Sequence, residues 1–253
     1  MTVVEALVWL SRSLGNPAAD LAILAEGNAS AKHGDTFWVK ASGYELASLD
    51  SDGLVSVDLP RAAAFLDEPD LDDTKTREVL ACLTLSRTRQ LPSVETFMHA
   101  YLLTLPGVSF VGHSHPTALL GLLCTGRARE FAGQRLFPDE IVCCGPQSAF
   151  VPYTDPGLPL AKAVRDSVVK YADRRGEIPR TIWIENHGLI AVGQSPREVL
   201  AAHLMSAKAA QVTLDALASG LDVKPLTPAQ IERIHNRPDE HYRQQLLRQL
   251  TGA

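Results

Sequence analysis

Apolar residues recur along this chain with two different periods. In residues 3–14, Val3, Val4, Leu7, Leu10 and Leu14 return every three to four positions, which predicts an amphipathic helix. Between 20 and 43 the rhythm shortens, and Gly27-Asn28 and His33-Gly34 separate brief apolar runs, predicting strands joined by tight turns. "GLVSVD" (53–58) reads as another strand that ends before Pro60. The helical period returns from Asp73 to Arg87, with Val79, Leu80, Leu83 and Leu85 on one face. "PSVETFMHAYLLTLPG" (92–107) predicts a second helix, with Ser93 as N-cap and Pro106-Gly107 as its stop. A strand, "VSFVGHSH", and a helix from Pro116 through Leu123 follow.

The second half repeats the logic. "GPQSAFVPY" (145–153) is extended, "PLAKAVRDSVVKYADR" (159–174) is helical, and "RTIWIENHGLIAVG" (180–193) is strand–turn–strand. "SPRE" (195–198) and "TPAQ" (227–230) each give a capping hydroxyl, Pro at the first helical position and Glu or Gln three residues after the cap. No Ser/Gly-rich linker, charge block or internal repeat divides the chain. The expectation is one α/β domain over residues 1–253, with helices and strands around a central sheet.

Composition narrows the partners. The 253 residues are 45% hydrophobic and 21% charged, enough for a well-packed core, and the formal net charge of −5 argues against nucleic acid as partner. The four cysteines form no CxxC, and Cys143 and Cys144 are adjacent, which fits a reducing, cytoplasmic compartment. "MTVVEALVWLSRSLG" lacks the basic start and sustained apolar stretch of a signal peptide, and no window reaches membrane-spanning length. A small-molecule partner is expected, with no nucleic acid and no membrane.

The candidate chemistry centres on "VGHSHP" (111–116). Alternate residues of a strand share a face, so His113 and His115 can meet one ion. They can equally be two hydrogen-bonded imidazoles at a strand end, and spacing alone favours that reading. A catalytic zinc site needs three protein ligands and an open position. "ENHGL" (185–189) offers His187 at a strand–turn junction, with Gly188 allowing an unusual backbone, and Glu95 stands in the first turn of a predicted helix. His99, one turn on, is read as a hydrogen-bonded core residue, whereas His33, His203, His235 and His241 are read as solvent-exposed. "GNAS" (27–30), "ASG" (41–43) and the helix start at Ser93 are three clusters of small residues and donors. They are suited to an anion if they face one point.

Taken in order, "EGNASAK", "VKASG", "PSVETFMH", "GHSHP", "VPYTDPG" and "NHGLIAVG" resemble the class II aldolase/adducin family, which includes the fuculose- and rhamnulose-phosphate aldolases; the match spans roughly residues 5–215. "PSVET" and "LGN…DLAILAEGN" look like the aldolase portion of bifunctional aldolase/dehydrogenases. The resemblance implies a three-layer α/β/α fold around a mainly antiparallel sheet, in a zinc-binding cyclic oligomer, often a tetramer. It implies His113, His115 and His187 as metal ligands, with Zn²⁺ expected and Mn²⁺ or Co²⁺ as alternatives. Glu95 corresponds to the catalytic acid/base, which can also occupy the metal. Asn28, Ser42, Gly43 and Ser93 match positions that bind substrate phosphate. Val94 replaces a serine of the fuculose-phosphate enzymes, and "LFPDEIV" (136–142) lacks their tyrosine.

The activity so implied is reversible aldol cleavage of a ketose or ketose phosphate through an enediolate. Epimerisation, dehydration or decarboxylation of a sugar-like acid would begin from the same enolate. A non-catalytic, adducin-like interaction module and a Schiff-base aldolase using a lysine are the readings from other classes.

Overall fold

A computed structural model describes residues 1–86 and 90–238; Arg87 and His241, on which two of the expectations above fall, lie outside them. In chain order the elements are α1 (Val3–Leu14), β1 (Asn28–His33), β2 (Thr36–Lys40), β3 (Leu54–Asp58), α2 (Leu59–Ala64), α3 (Asp73–Leu83), α4 (Thr96–Thr104), β4 (Phe110–Ser114) and α5 (Thr117–Leu123). They continue with α6 (Ala128–Ala132), α7 (Pro138–Cys144), β5 (Ala149–Val151), α8 (Leu158–Arg175), β6 (Thr181–Ile184), β7 (Gly188–Gly193), α9 (Pro196–Ala218) and α10 (Pro228–His235).

The strands form a 7-stranded sheet in the order β3-β2-β1-β4-β7-β6-β5. Every neighbouring pair is antiparallel except β5 and β6. That parallel pair is joined through α8, as a parallel connection requires a crossover. Strict alternation along the strands sorts the core into two layers. Phe37, Val39, Val55, Val57, Val111, Ile182, Ile184, Ile190 and Val192 face one side, where α2, α3, α4 and α8 cover them. Ala29, Ala31, Trp38, Phe110 and Ala191 face the other, against α1 and α9, continued by Trp183 and Leu189 against α5 and α6. Helices on both faces of a mainly antiparallel sheet give the α/β/α architecture expected.

β1 departs from this apolar lining. Its residues facing α4 are Asn28 and Ser30, both buried, so a polar seam runs into the layer where α4 packs. The capping boxes at Ser195 and Thr227 form as expected, and Thr2 adds a third at α1.

Two helix expectations need correction. α3 ends at Leu83; Thr84 bridges Val57, and Leu85 donates its N–H to the Ser56 carbonyl, so the chain has already turned alongside β3 and Leu85 is exposed. α4 begins at Thr96 rather than beside Ser93, because residues 93–96 close a tight turn in which the Thr96 N–H bonds to the Ser93 carbonyl. Glu95 therefore occupies the cap position of α4, and its own carbonyl starts the helix by accepting from Met98 and His99.

Candidate active site

The site lies at the mouth where β4 ends, β1 begins and the β6–β7 turn returns. His113 stands on β4 directly across from Asn28 of β1, with Ile190 of β7 on its other side. His115 lies one residue beyond the strand, held by its N–H on the Leu21 carbonyl at 2.8 Å. His187 sits in the turn between β6 and β7. The residue with left-handed backbone in that turn is Asn186 (φ 51°), not Gly188 as expected. Gly188 serves space instead: a Cβ there would lie 2.5 Å from the Ser114 carbonyl oxygen and 2.7 Å from Cδ2 of His115. A missing side chain thus lets the turn close over the two β4 histidines. Gly27 does both jobs, with φ +66° and a would-be Cβ 2.6 Å from the His113 carbonyl oxygen.

The three imidazoles face one another. Their ring centroids are 4.8, 5.0 and 5.2 Å apart, all edge-on, and one nitrogen from each lies within 4.8 Å of the others. His113 Nδ1 is 3.0 Å from the Leu189 carbonyl oxygen, so that nitrogen carries the proton and Nε2 presents its lone pair to the centre. His115 Nε2 stands 3.0 Å from it, and His115 Nδ1 is 3.7 Å from Glu26 Oε1. Burial pushes His113 well below the ordinary imidazole range; burial and then the neighbouring His187 push His115 down too. Neutral imidazole is the metal-binding form. Tetrahedral sites with metal–nitrogen bonds near 2.05 Å separate their nitrogens by about 3.3 Å, close to the His113–His115 spacing. The donor set fits a single borderline-soft divalent cation.

Glu95 closes the cluster. Its Oε1 lies 3.1 Å from His187 Nε2 and 3.6 Å from His113 Nε2, while Oε2 accepts from Asn28 Nδ2 at 2.6 Å. Burial pushes this carboxyl up, yet His113, His187 and the Asn28 hydrogen bond outweigh it and hold the group well below the usual carboxylate range. Glu95 is ionised, with one oxygen toward the histidines and the other tied back to β1.

Asn28 is fully engaged. Its amide also approaches Ser93 Oγ at 3.3 Å, and its Oδ1 meets His99 Nε2. Ser93 Oγ is 3.3 Å from the Glu95 N–H as well. The third small-residue cluster joins them, because Ala41 bridges Pro92 and the Ser42 N–H bonds to the Leu91 carbonyl at 2.8 Å. Ser42 and Gly43 are exposed beside Ser93, and Gly43 adopts φ +83°.

Lys40 escaped the sequence reading. It is buried at the end of β2 with Nζ on the carbonyls of Ala25 (3.3 Å) and Tyr44 (2.6 Å), tying together two of the site's loops. Burial lowers its pKa and the Glu95 charge raises it. A lysine ending the alternating run "TFWVK" was the available signal. His99 is buried and hydrogen-bonded, as expected, and His33 is exposed. His203 is not exposed: it is fully buried on the sheet-facing side of α9, where Gly112 leaves room, with Nδ1 on the Val199 carbonyl. His235 is largely covered too, 3.2 Å from Glu177.

A model of the class II aldolase and adducin N-terminal domain family matches residues 5–214. Among solved structures, the N-terminal class II aldolase domain of a conserved protein from Thermoplasma acidophilum is similar at TM-score 0.68 and 27% identity, covering 84% of this chain and 94% of that one. The L-fuculose 1-phosphate aldolase of Glaciozyma antarctica aligns at TM-score 0.65 and 18% identity, over 99% of this chain and 90% of its own. YgbL from Escherichia coli, described by the three candidate reactions aldolase, epimerase and decarboxylase, aligns at TM-score 0.67 and 19% identity, over 92% and 97%. No curated protein matches the chain.

Proposed function

The chain belongs to the class II aldolase and adducin N-terminal domain family, and on that premise we propose that it is a metal-dependent lyase, reversibly cleaving a ketose or ketose phosphate at the carbon–carbon bond one removed from its carbonyl. The observation that carries the reading is the convergence of three imidazoles on one another, with Glu95 Oε1 against two of them and Oε2 anchored by Asn28. His113, His115 and His187 would hold the cation, Zn²⁺ by the chemistry of three nitrogen donors. When bound, it supplies positive charge that stabilises the negative charge growing on substrate oxygens as the carbon–carbon bond breaks.

The chain's own residues do the rest. Glu95, held ionised, takes the proton at the carbon beside the carbonyl in the synthetic direction; in cleavage it gives that carbon a proton, which balances the one lost from the hydroxyl of the carbon that leaves as the aldehyde. Its Oε1 reaches the centre, so the same carboxylate would be a further donor to a bound cation. Exposed Ser42 and Gly43, with half-buried Ser93, form a lip of hydroxyl and backbone donors beside the base, suited to the substrate's phosphate. Val94, exposed at that lip, offers no donor, so phosphate recognition rests on fewer groups than in a serine-bearing site. Lys40 is committed to two carbonyls, which argues against a Schiff-base lysine at this mouth. The intact donor set argues against a purely structural module. We further propose that residues 1–253 act as one catalytic domain, assembled as a tetramer.

The similarity to YgbL supports a second reading, in which the same site epimerises, dehydrates or decarboxylates a sugar-like acid. Mass spectrometry on metal-loaded protein incubated with ketoses, ketose 1-phosphates and sugar acids separates them. Two carbon fragments from a ketose support the lyase; an isomer of unchanged mass, or loss of water or CO₂, replaces it with the second reading.

A further inference from the structure

Behind Glu95 runs a buried relay of hydrogen bonds. Ser30 Oγ and His99 Nδ1 are 2.7 Å apart, His99 Nε2 meets Asn28 Oδ1, and Asn28 Nδ2 reaches Glu95 Oε2 at 2.6 Å. Ser30 and His99 are completely buried and Asn28 nearly so, so none of these groups has water as an alternative partner. The roles follow from donor and acceptor inventory. An ionised carboxylate only accepts, so Asn28 must turn its NH₂ toward Glu95 and its oxygen toward His99. That oxygen only accepts, so His99 must carry its proton on Nε2. The ring is neutral, because burial pushes His99 down to about 4. Nδ1 is then an acceptor, filled by the Ser30 hydroxyl.

We propose that His99 is a positioning residue for Glu95: by fixing its proton on Nε2 it locks the Asn28 amide in the one orientation that donates to the carboxylate. The alternative ring tautomer would invite Asn28 to flip, setting amide oxygen against carboxylate oxygen across 2.6 Å. Asn28 thereby serves the base, beside the phosphate-binding role its motif position implies. The inference rests on Glu95 as the proton-moving group. It goes beyond that reading in assigning a catalytic consequence to a histidine whose ring hydrogen-bonds to Ser30 and Asn28 and acts on the base through Asn28.

The test has two arms on the full chain. In ¹⁵N-histidine-labelled protein, NMR should show His99 neutral with its proton on Nε2; a proton on Nδ1 overturns the proposal whatever the protein catalyses. The second arm follows exchange of the hydroxymethyl protons of dihydroxyacetone and of dihydroxyacetone phosphate in D₂O. His99→Leu should lower the maximal exchange rate at least about tenfold, with half-saturation and bound metal within about threefold of the parent. His99→Gln, whose amide N–H can replace Nε2–H, should recover to within about threefold of the parent rate. His99→Asn, which reaches only as far as the Nδ1 position, should resemble His99→Leu. Parental exchange in His99→Leu overturns the proposal, as does equal loss of rate and metal in all three variants, the mark of a merely structural role. If the parent exchanges neither ketone, the lyase reading fails, and the His99 tautomer alone then decides this inference.

Discussion

At the scale of single residues, burial favours neutral rings at His113 and His115, whereas Glu95 stays ionised against burial through its polar neighbours. Glu95 stands against His113 and His187, which hold its charge together with the Asn28 amide donor. Glu95→Gln keeps the size of the side chain and removes the base. It should cut turnover by roughly 10³-fold, in the range of general-base losses, while elemental analysis shows the metal retained. A variant with parental turnover would remove Glu95 from the chemistry. His203 supports a prediction of another kind. Burial holds its ring at about 4, far below the ordinary imidazole value of 6.5. The unfolded chain therefore binds the proton more readily, and stability is full above pH 6.5 and lost as pH falls toward 4. By pH 5 this one residue costs about 2 kcal/mol. Urea denaturation should show the parent losing about that much more than His203→Leu between pH 7 and pH 5; equal losses would refute the assignment.

At the scale of elements, much of this arrangement was legible in the chain. Strand period placed β1, β2, β3, β6 and β7, and the proline-bearing capping boxes at Ser195 and Thr227 placed the starts of α9 and α10. Misreadings arose where long-range contacts override local signals. Ser93 looks like a helix cap, but after the Ala41–Pro92 bridge residues 93–96 close a tight turn, so the cap moves to Glu95 and α4 starts two residues later. His203 sits on a helix whose pattern says little about which side meets the sheet, and only the pairing of α9 with Gly112 reveals a space for it. Gly188 was rightly singled out for the wrong reason: it is needed for room rather than for its backbone angle. Gly188→Ala should therefore push β7 and the His115 ring apart. Overpacking of this kind destabilises by about 1–3 kcal/mol. Metal affinity by titration calorimetry should fall at least about tenfold, since ligands must be held within about half an ångström. Unchanged affinity would show that the turn has slack.

At the scale of the whole molecule, the sheet collects its chemistry from distant stretches of chain. The antiparallel order sets β1 and β7 on either side of β4, which brings residue 28, residues 113–115 and residue 187 to one mouth, while α4 delivers residue 95 from above. No sequence pattern states that neighbourhood; the six ordered motifs implied it only through resemblance to a family. Among the described residues no helix is long and apolar enough to cross a membrane. The proposed chemistry requires one cation shared by His113, His115 and His187, and elemental analysis of protein purified without chelator measures it directly. The parent should carry about one divalent ion per chain and His187→Ala far less. A parent without stoichiometric metal, or a His187→Ala variant that keeps it, would contradict the account.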